Sequence, residues 1–260
     1  MELLPGLDIV AGPRHFFSEL PDYGGAYVYL IRGEQGRHIL IDTGYARFTD
    51  GIVRVLKSKG VAPEDIEIVA LTHTHSDHIG GCAFFQRHGA KIAAHQAASE
   101  LVDGTPPWSR DAAREKPQTS AGDATAPFRP DIRFADGDVI RAPGIELRVI
   151  HTPGHTRDSC AFVLERAGRR VLFAGDMWNL LIFGWGASYP DLLASIGKVR
   201  ALGADYCCYG HSVLDELDWP KYFDKVEKNV TQGVYSVVDS AKADNHRVSC
   251  GLRLFAGLDR

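Results

Sequence analysis

The chain has 260 residues, 45% of them are apolar, and the formal net charge at pH 7 is −4. This length allows one large domain or two small ones, and the composition is ordinary for a globular protein. Acidic and basic residues are mixed along the sequence, which excludes the basic surface that typically binds nucleic acid. Every apolar run is far shorter than the roughly 20 residues that cross a membrane, so we expect no membrane span.

The N-terminus and the cysteines favour a cytoplasmic protein. Residues 1–6 lack a basic segment followed by an apolar block, so the sequence predicts no signal peptide. The chain has five cysteines, an odd number that cannot all pair within the chain, and their spacing is irregular. This usage is typical of reduced thiols in the cytoplasm.

Strands and helices alternate along the chain. Periodicity and turn signals predict strands at 26–31, 38–41, 67–71, 91–94, 145–150, 160–165, 170–174 and 204–209. The predicted helices cover 49–59, 77–88, 96–102, 190–202 and a C-terminal segment from about 219 to 242. This order predicts an α/β fold in which two mixed β-sheets pack together with helices outside. We predict a single domain over residues 1–260.

Two segments interrupt this alternation. Residues 104–130 are rich in Pro, Ser, Thr, Asp and Ala, and loops this long are usually functional or disordered. This segment contains Trp108, and we interpret it as a lid or substrate wall, with a plain surface excursion as the alternative. Residues 177–186 include Trp178, Phe183 and Trp185. Three interpretations of this second segment stay open: core packing, an apolar substrate pocket, or a subunit contact.

The most informative motif lies in residues 72–81. It places His73, His75, Asp77 and His78 close together in the sequence. Imidazole nitrogens and carboxylate oxygens suit zinc and neighbouring transition metals. Alternate residues of an extended chain face the same way, so His73 and His75 should face one ion. Asp77 and His78 follow a turn and can face a second ion, so the motif predicts half of a two-metal site.

Candidates for the other half lie downstream. His155, Asp176 and His211 each follow a glycine, and Asp176 and His211 come directly after apolar runs that predict strands. The ends of strands hold ligands rigidly, and glycine lets the backbone approach closely. His151 lies one turn before His155 and is a candidate for the floor of the site.

Ile41-Asp42-Thr43-Gly44 is followed along the chain by His-x-His-x-Asp-His, and then by Gly-His, Gly-Asp and Gly-His. This order of motifs resembles the metallo-β-lactamase-fold hydrolase superfamily over residues 7–215. The resemblance implies an αββα sandwich and two metal ions. It implies that Asp42 orients a ligand through a hydrogen bond. It also implies two ligand sets joined by Asp176: His73, His75 and His155 for one ion, and Asp77, His78 and His211 for the other.

The ligands and the resemblance together predict hydrolysis of a carboxylic ester, lactone or thioester. Zinc lowers the pKa of bound water to about 7, and a hydroxide held between two ions would attack the carbonyl of the substrate. Asp77 and Asp176 would offset the charge of the ions and accept a hydrogen bond from the nucleophile. Tyr189 is a candidate proton donor to the leaving group. Zn²⁺ is the expected ion, with Mn²⁺ and Fe²⁺ as alternatives.

The resemblance also bears on the type of reaction. A bridging Asp176 is similar to the lactonases and to thioesterases such as glyoxalase II, whereas typical zinc β-lactamases carry cysteine or serine there. Hydrolysis of a β-lactam, a mono-iron oxidoreductase similar to persulfide dioxygenases, and a non-catalytic binding protein remain alternatives. The expected partner is a small-molecule substrate with an apolar portion, and the oligomeric state, a homodimer included, stays open.

Overall fold

The computed structural model describes residues 1–12, 25–98, 126–177, 180–182, 185–211, 213–215, 218–232 and 236–238. The strands are β1 Glu2–Leu4, β2 Leu7–Ala11, β3 Val28–Arg32, β4 His38–Ile41, β5 Ile66–Ala70, β6 Lys91–His95, β7 Ile132–Phe134, β8 Val139–Ala142, β9 Ile145–His151, β10 Cys160–Arg166, β11 Arg169–Gly175, β12 Leu180–Ile182, β13 Tyr206–Tyr209, β14 Val213–Asp215 and β15 Ser236–Val238. The α-helices are α1 Thr49–Ser58, α2 Ser76–Ile79, α3 Cys82–Arg87, α4 Tyr189–Arg200 and α5 Asp218–Thr231.

Two mixed sheets contain most of these strands. The first has the order β1-β2-β3-β4-β5-β6-β7; its neighbours are antiparallel as far as β4 and parallel from β4 to β7. The second has the order β14-β13-β11-β10-β9-β8 and is antiparallel except for the β11–β13 pair. A separate parallel ladder joins β12 to β15.

The strands alternate their side chains between two apolar layers, because successive residues of a strand face opposite ways. Tyr29 and Ile31 lie in the core between the two sheets, together with Phe173 of the second sheet. Val28 and Leu30 face the layer that α1 and α3 cover. Helices α4 and α5 pack against the far side of the second sheet. This arrangement confirms the predicted αββα sandwich.

Helices α1 and α4 have features that follow from the local sequence. Helix α1 buries Ile52, Val53 and Leu56 on one face and ends just before Gly60, whose positive φ of 74° suits glycine. Helix α4 is preceded by Ser188, whose hydroxyl oxygen accepts a hydrogen bond from the backbone N–H of Asp191. This N-cap satisfies a helix N–H that has no partner within the helix.

Three predicted helices differ from the structure. The helix predicted over 77–88 is two short helices, because the N–H groups of Gly80 and Gly81 donate to Gly44 O and Thr43 Oγ1 of a distant segment instead of continuing the helix. The helix predicted to reach about 242 ends at Thr231, and residues 236–238 instead pair with β12. Of the helix predicted over 96–102, residues 96–98 form a turn, and the remainder lies outside the described residues.

The sequence analysis predicted no element at six of the observed strands: β1, β2, β7, β8, β12 and β14. Four of them, β1, β7, β12 and β14, have only three residues, too few for an alternation of period two to be recognised. Residues 104–125 of the predicted lid lie outside the described chain, and Phe128 near its end is buried against the layer of α1 and α3. Among the helices of the described segments, none has the length and apolarity required to cross a bilayer.

Candidate metal centre

Strand β5 leads directly into the first histidines. It ends at Ala70, and residues 71–75 lead to α2, which begins at Ser76. His73 and His75 are both buried, and His73 Nε2 lies 3.0 Å from His75 Nδ1. The two rings therefore face the same space, which is the orientation that their spacing predicts.

His155 joins this pair from the loop between β9 and β10. Its Nε2 atom lies 3.0 Å from His75 Nδ1, and the ring is also buried. One nitrogen from each of the three rings lies within 4.8 Å of the other two. Three convergent imidazoles are a ligand set that zinc uses in proteins.

Asp77, His78 and His211 form a second group with ligand atoms within 4.8 Å of one another. His211 Nε2 lies 3.4 Å from Asp77 Oδ2, and His78 Nε2 lies 3.9 Å from the same oxygen. The side chain of His211 is 35% exposed, whereas that of His78 is fully buried. The second group is therefore the one that lies closer to solvent.

The carboxylate of Asp176 lies between the two groups. Its Oδ2 atom is 3.6 Å from His155 Nε2 and 3.3 Å from His211 Nε2, while Oδ1 is 3.6 Å from His78 Nε2. Strand β11 ends at Gly175, immediately before Asp176, and parallel pairing with β13 brings His211 alongside. One carboxylate thus faces histidines of both groups.

The buried atoms of the site fit divalent cations. His78 Nε2 and Asp176 Oδ1 are buried and have no hydrogen-bond partner in the part of the chain that the structure describes. Buried polar atoms in proteins are nearly always paired, so these two require a partner of another kind. Imidazole nitrogen and carboxylate oxygen are common ligands of divalent transition metals, so these clusters can hold such ions.

Asp42 lies where it orients His78. Its Oδ2 atom accepts a hydrogen bond from His78 Nδ1 at 2.8 Å, and its two oxygens also accept bonds from the N–H and hydroxyl of Thr72 at 2.9 and 2.8 Å. A carboxylate oxygen only accepts, so Nδ1 carries a proton and Nε2 is the nitrogen that can bind a metal ion. The resemblance implied this role for Asp42, but the sequence analysis did not predict that Thr72 would donate hydrogen bonds to Asp42.

Burial and neighbouring charges shift the ionisation of the site in two directions. Burial, followed by the neighbouring histidines, lowers the pKa of His73 well below its usual range, and that of His75 to about 3. Burial also opposes ionisation of Asp77, but His78 and His211 outweigh it and lower the pKa of this carboxyl to about 2. Burial likewise disfavours a charge on His211, yet Asp176 and Asp77 raise its pKa to about 10.

A hydrogen bond that sequence reasoning missed joins the two ligand loops. Thr74 Oγ1 donates to Asp158 Oδ2 at 2.9 Å, and both residues are buried. Thr74 lies between His73 and His75, and Asp158 lies three residues after His155. The closeness of Asp158 to a candidate ligand was the available signal, but a surface turn would have the same local sequence. Burial raises the pKa of Asp158.

The remaining predicted site residues divide into three cases. The ring of Trp185 meets the ring of His75 edge to face, with centroids 4.7 Å apart. Tyr189 begins α4 and packs against the apolar layer of α4 and α5, and its role as a proton donor stays a prediction. Trp108, Trp178 and Phe183 lie outside the described residues.

The curated relatives include enzymes and a lactamase-like protein. The chain is 32% identical over 167 residues to a hydroxyacylglutathione hydrolase of Rhodopseudomonas palustris (strain HaA2), which covers 62% of this chain and 52% of that protein. It is 28% identical over 227 residues to the lactamase-like protein aptB of Emericella nidulans, covering 84% of this chain and 62% of that protein. The chain therefore spans between about half and two thirds of the length of these relatives.

Solved structures and a family model agree with this similarity. A metallo-β-lactamase family protein from Thermus thermophilus aligns with TM-score 0.68 and 25% identity, covering 88% of this chain and 80% of that one. A subclass B3 metallo-β-lactamase of Bradyrhizobium japonicum aligns with TM-score 0.60 and 25% identity, covering 72% of each chain. The model of the metallo-β-lactamase superfamily matches residues 21–211, a span that includes both histidine groups and Asp176, and the chain belongs to this superfamily.

Proposed function

We propose that this protein is a hydrolase that uses two divalent cations to cleave a carboxylic ester, thioester or lactone. The observation that carries the proposal is the carboxylate of Asp176, which lies within 3.6 Å of histidine nitrogens from both groups. The similarity to a hydroxyacylglutathione hydrolase supports cleavage of an acyl bond. Zn²⁺ fits the histidine-rich donor set best, because imidazole is among its usual ligands.

The proposed ligand sets divide the charge of the site unequally. His73, His75 and His155 would hold one cation with three neutral imidazoles, whereas Asp77 adds a negative charge to the set with His78 and His211. Asp176 would be shared by both and bring the second negative charge. Cations at these positions would supply Lewis acidity, which polarises a carbonyl and lowers the pKa of water.

The chain's own groups then act on the substrate and the attacking water. Burial opposes ionisation of Asp77 and Asp176, but in the metal-free chain the facing histidines outweigh it and lower the pKa of both carboxyls. Bound cations would act in the same direction, so both carboxyls would be ionised at neutral pH. Their oxygens can therefore accept a hydrogen bond from an attacking water and orient it. A thiol nucleophile is not needed, and Cys82, the cysteine nearest the motif, is buried with the pKa of its thiol raised by that burial.

A substrate panel with controlled metal content tests this proposal. Protein loaded with zinc should hold two ions per chain and hydrolyse members of a panel of esters, thioesters and lactones. Chelation should abolish turnover, and zinc or manganese should restore it. Turnover of β-lactams alone would assign the chain to the β-lactamases. No turnover at full metal occupancy would indicate a binding protein, and one iron per chain with oxygen consumption would indicate a dioxygenase.

A further inference from the structure

Trp185 contacts a candidate metal ligand and is itself partly exposed to solvent. Its ring meets the ring of His75 edge to face, at 4.7 Å between centroids and 82° between planes. His75 is buried, whereas Trp185 is partly exposed. The indole is therefore in contact with a candidate metal ligand on one side and partly accessible to solvent on another.

Backbone contacts attach the Trp185 turn to the loop that carries His155. The N–H of Arg157 donates to the carbonyl of Trp185 at 2.9 Å, and the N–H of Ser188 donates to the carbonyl of Gly154 at 2.8 Å. Gly186 has a φ of 71°, and a Cβ there would lie 2.9 Å from Arg157 Cβ. The indole is thus held in position relative to the ligands before any substrate binds, and such preorganisation favours binding.

The strand before Trp185 has a further support. Strand β12 lies between Asp176 and Trp185 and pairs in parallel with β15, near the end of the described chain. Strand β12 is therefore held by its ladder with β15, and the turn at Trp185 is held by its own backbone contacts. An indole that lies against the candidate ligand His75 is suited to contact part of a substrate whose carbonyl is at the metal centre.

We propose that Trp185 is a specificity-determining residue, against whose indole the apolar portion of the substrate packs while its carbonyl lies at the metal centre. This inference rests on the proposed hydrolase function and names the substrate class more closely: an ester, thioester or lactone with an aliphatic chain or ring beside the scissile bond. Each methylene removed from water against the indole should raise kcat/KM by about fourfold.

Two substrate series test the proposal, one that lengthens the acyl chain and one that lengthens the leaving group. In at least one series the zinc-loaded protein should gain about fourfold in kcat/KM per methylene, and Trp185→Ala should reduce this to less than about twofold, mainly through KM. Trp185→Phe should keep most of the gain, and all variants should bind two metals. Phe84→Ala, which removes a partly exposed aromatic from α3, is the control and should leave the gain unchanged.

Equal gains per methylene in Trp185→Ala and the parent protein, in both series, would overturn the proposal. A second measurement separates this failure from failure of the hydrolase assignment. Straight-chain carboxylates from acetate to octanoate are titrated into zinc-loaded protein and followed by calorimetry. Octanoate should bind about tenfold more weakly to Trp185→Ala than to the parent, even without turnover of any ester. Equal affinities would refute the role of Trp185.

Discussion

Individual residues of the site have roles that depend on one or two atoms. Asp176 faces both histidine groups with its two oxygens, and Asp42 leaves His78 Nε2 available by bonding its Nδ1. Both carboxylates are almost completely buried. Substitutions that keep the shape of these side chains but remove the charge therefore report on the electrostatics of the site and not on packing.

Asp176→Asn should lower kcat/KM by about a hundredfold or more and reduce the zinc content below two per chain. The substitution removes the shared negative charge and one of the oxygen ligands, and even outer ligands typically contribute tenfold to a hundredfold to metal affinity. Steady-state kinetics and metal analysis check this, with the exposed substitution Asp50→Asn as the control. Retained activity with two bound ions would contradict the bridging position.

His95 should make the stability of the protein depend on pH in the acid range. Burial, followed by the stacked ring of His151, lowers the pKa of His95 to about 4. Below about pH 6.5 the unfolded chain binds a proton there that the folded chain does not, so the free energy of unfolding decreases as the pH falls towards 4. At pH 5 this loss should amount to about 1 kcal/mol, after allowance for solvent screening.

Urea unfolding of the parent and of His95→Asn, with excess zinc at pH 7 and pH 5, measures this effect. Asparagine keeps an acceptor for the N–H of Ala97, which His95 Nδ1 accepts in the structure at 3.2 Å. The variant should lose less stability than the parent between the two pH values. Parallel losses in the two proteins would show that His95 does not contribute.

At the scale of elements, the candidate ligands follow strands whose ends meet at one edge of the sandwich. Strands β5, β9, β11 and β13 each precede at least one of them. The close approach of β11 and β13 depends on Gly210, whose N–H donates to the Gly175 carbonyl at 2.9 Å. A Cβ at position 210 would overlap Asp176 Oδ1 and lie 2.8 Å from His78 Cε1.

Gly210→Ala should therefore weaken zinc binding by at least about tenfold, because the new methyl group displaces the Asp176 carboxylate. Gly197→Ala is a matched control on α4, where an added Cβ has no atom within 4 Å. It should leave zinc affinity unchanged and raise stability by about 0.5–1 kcal/mol, since alanine favours a helix. Competition with a chromophoric chelator measures both affinities, and equal affinities would refute the steric argument.

At the scale of the whole molecule, the candidate ligands come from both sheets. His73 and His75 follow a strand of the first sheet, whereas His155 follows a strand of the second. The second group is divided in the same way, with Asp77 and His78 on one side and His211 on the other. Ions bound to these groups would link the two halves of the sandwich, so metal binding should stabilise the fold.

Removal of metal should lower the melting temperature by roughly 5–10 °C relative to protein with zinc at a hundred times its dissociation constant. Thermal unfolding of chelated and zinc-loaded protein measures this difference. Magnesium should give a much smaller shift, because it prefers oxygen ligands. Identical melting temperatures with and without zinc would argue against ions that link the sheets.

Local sequence patterns predicted many of the strands and all of the candidate ligands. Short apolar runs bounded by turn signals identified β3, β4, β10 and β11. The histidine motif and its downstream partners named every residue that the structure brings into the two groups. Short strands such as β7 and β15 were missed, because three residues form a strand only when a neighbouring strand supplies the hydrogen bonds. Helix α2 ends early for a similar reason, since the N–H of Gly80 donates to the carbonyl of Gly44 in a distant segment.

The sequence alone determined which residue types are available to bind metal, because ligand chemistry and short spacings are local properties. Only the tertiary structure decided how they meet: His75 and His155 are 80 positions apart in the chain and 3.0 Å apart in space. It also decided that Thr74 bonds to Asp158 and that Trp185 lies against His75. Such contacts depend on how two sheets pack and how loops cross their edge, and no pattern within one segment encodes that packing.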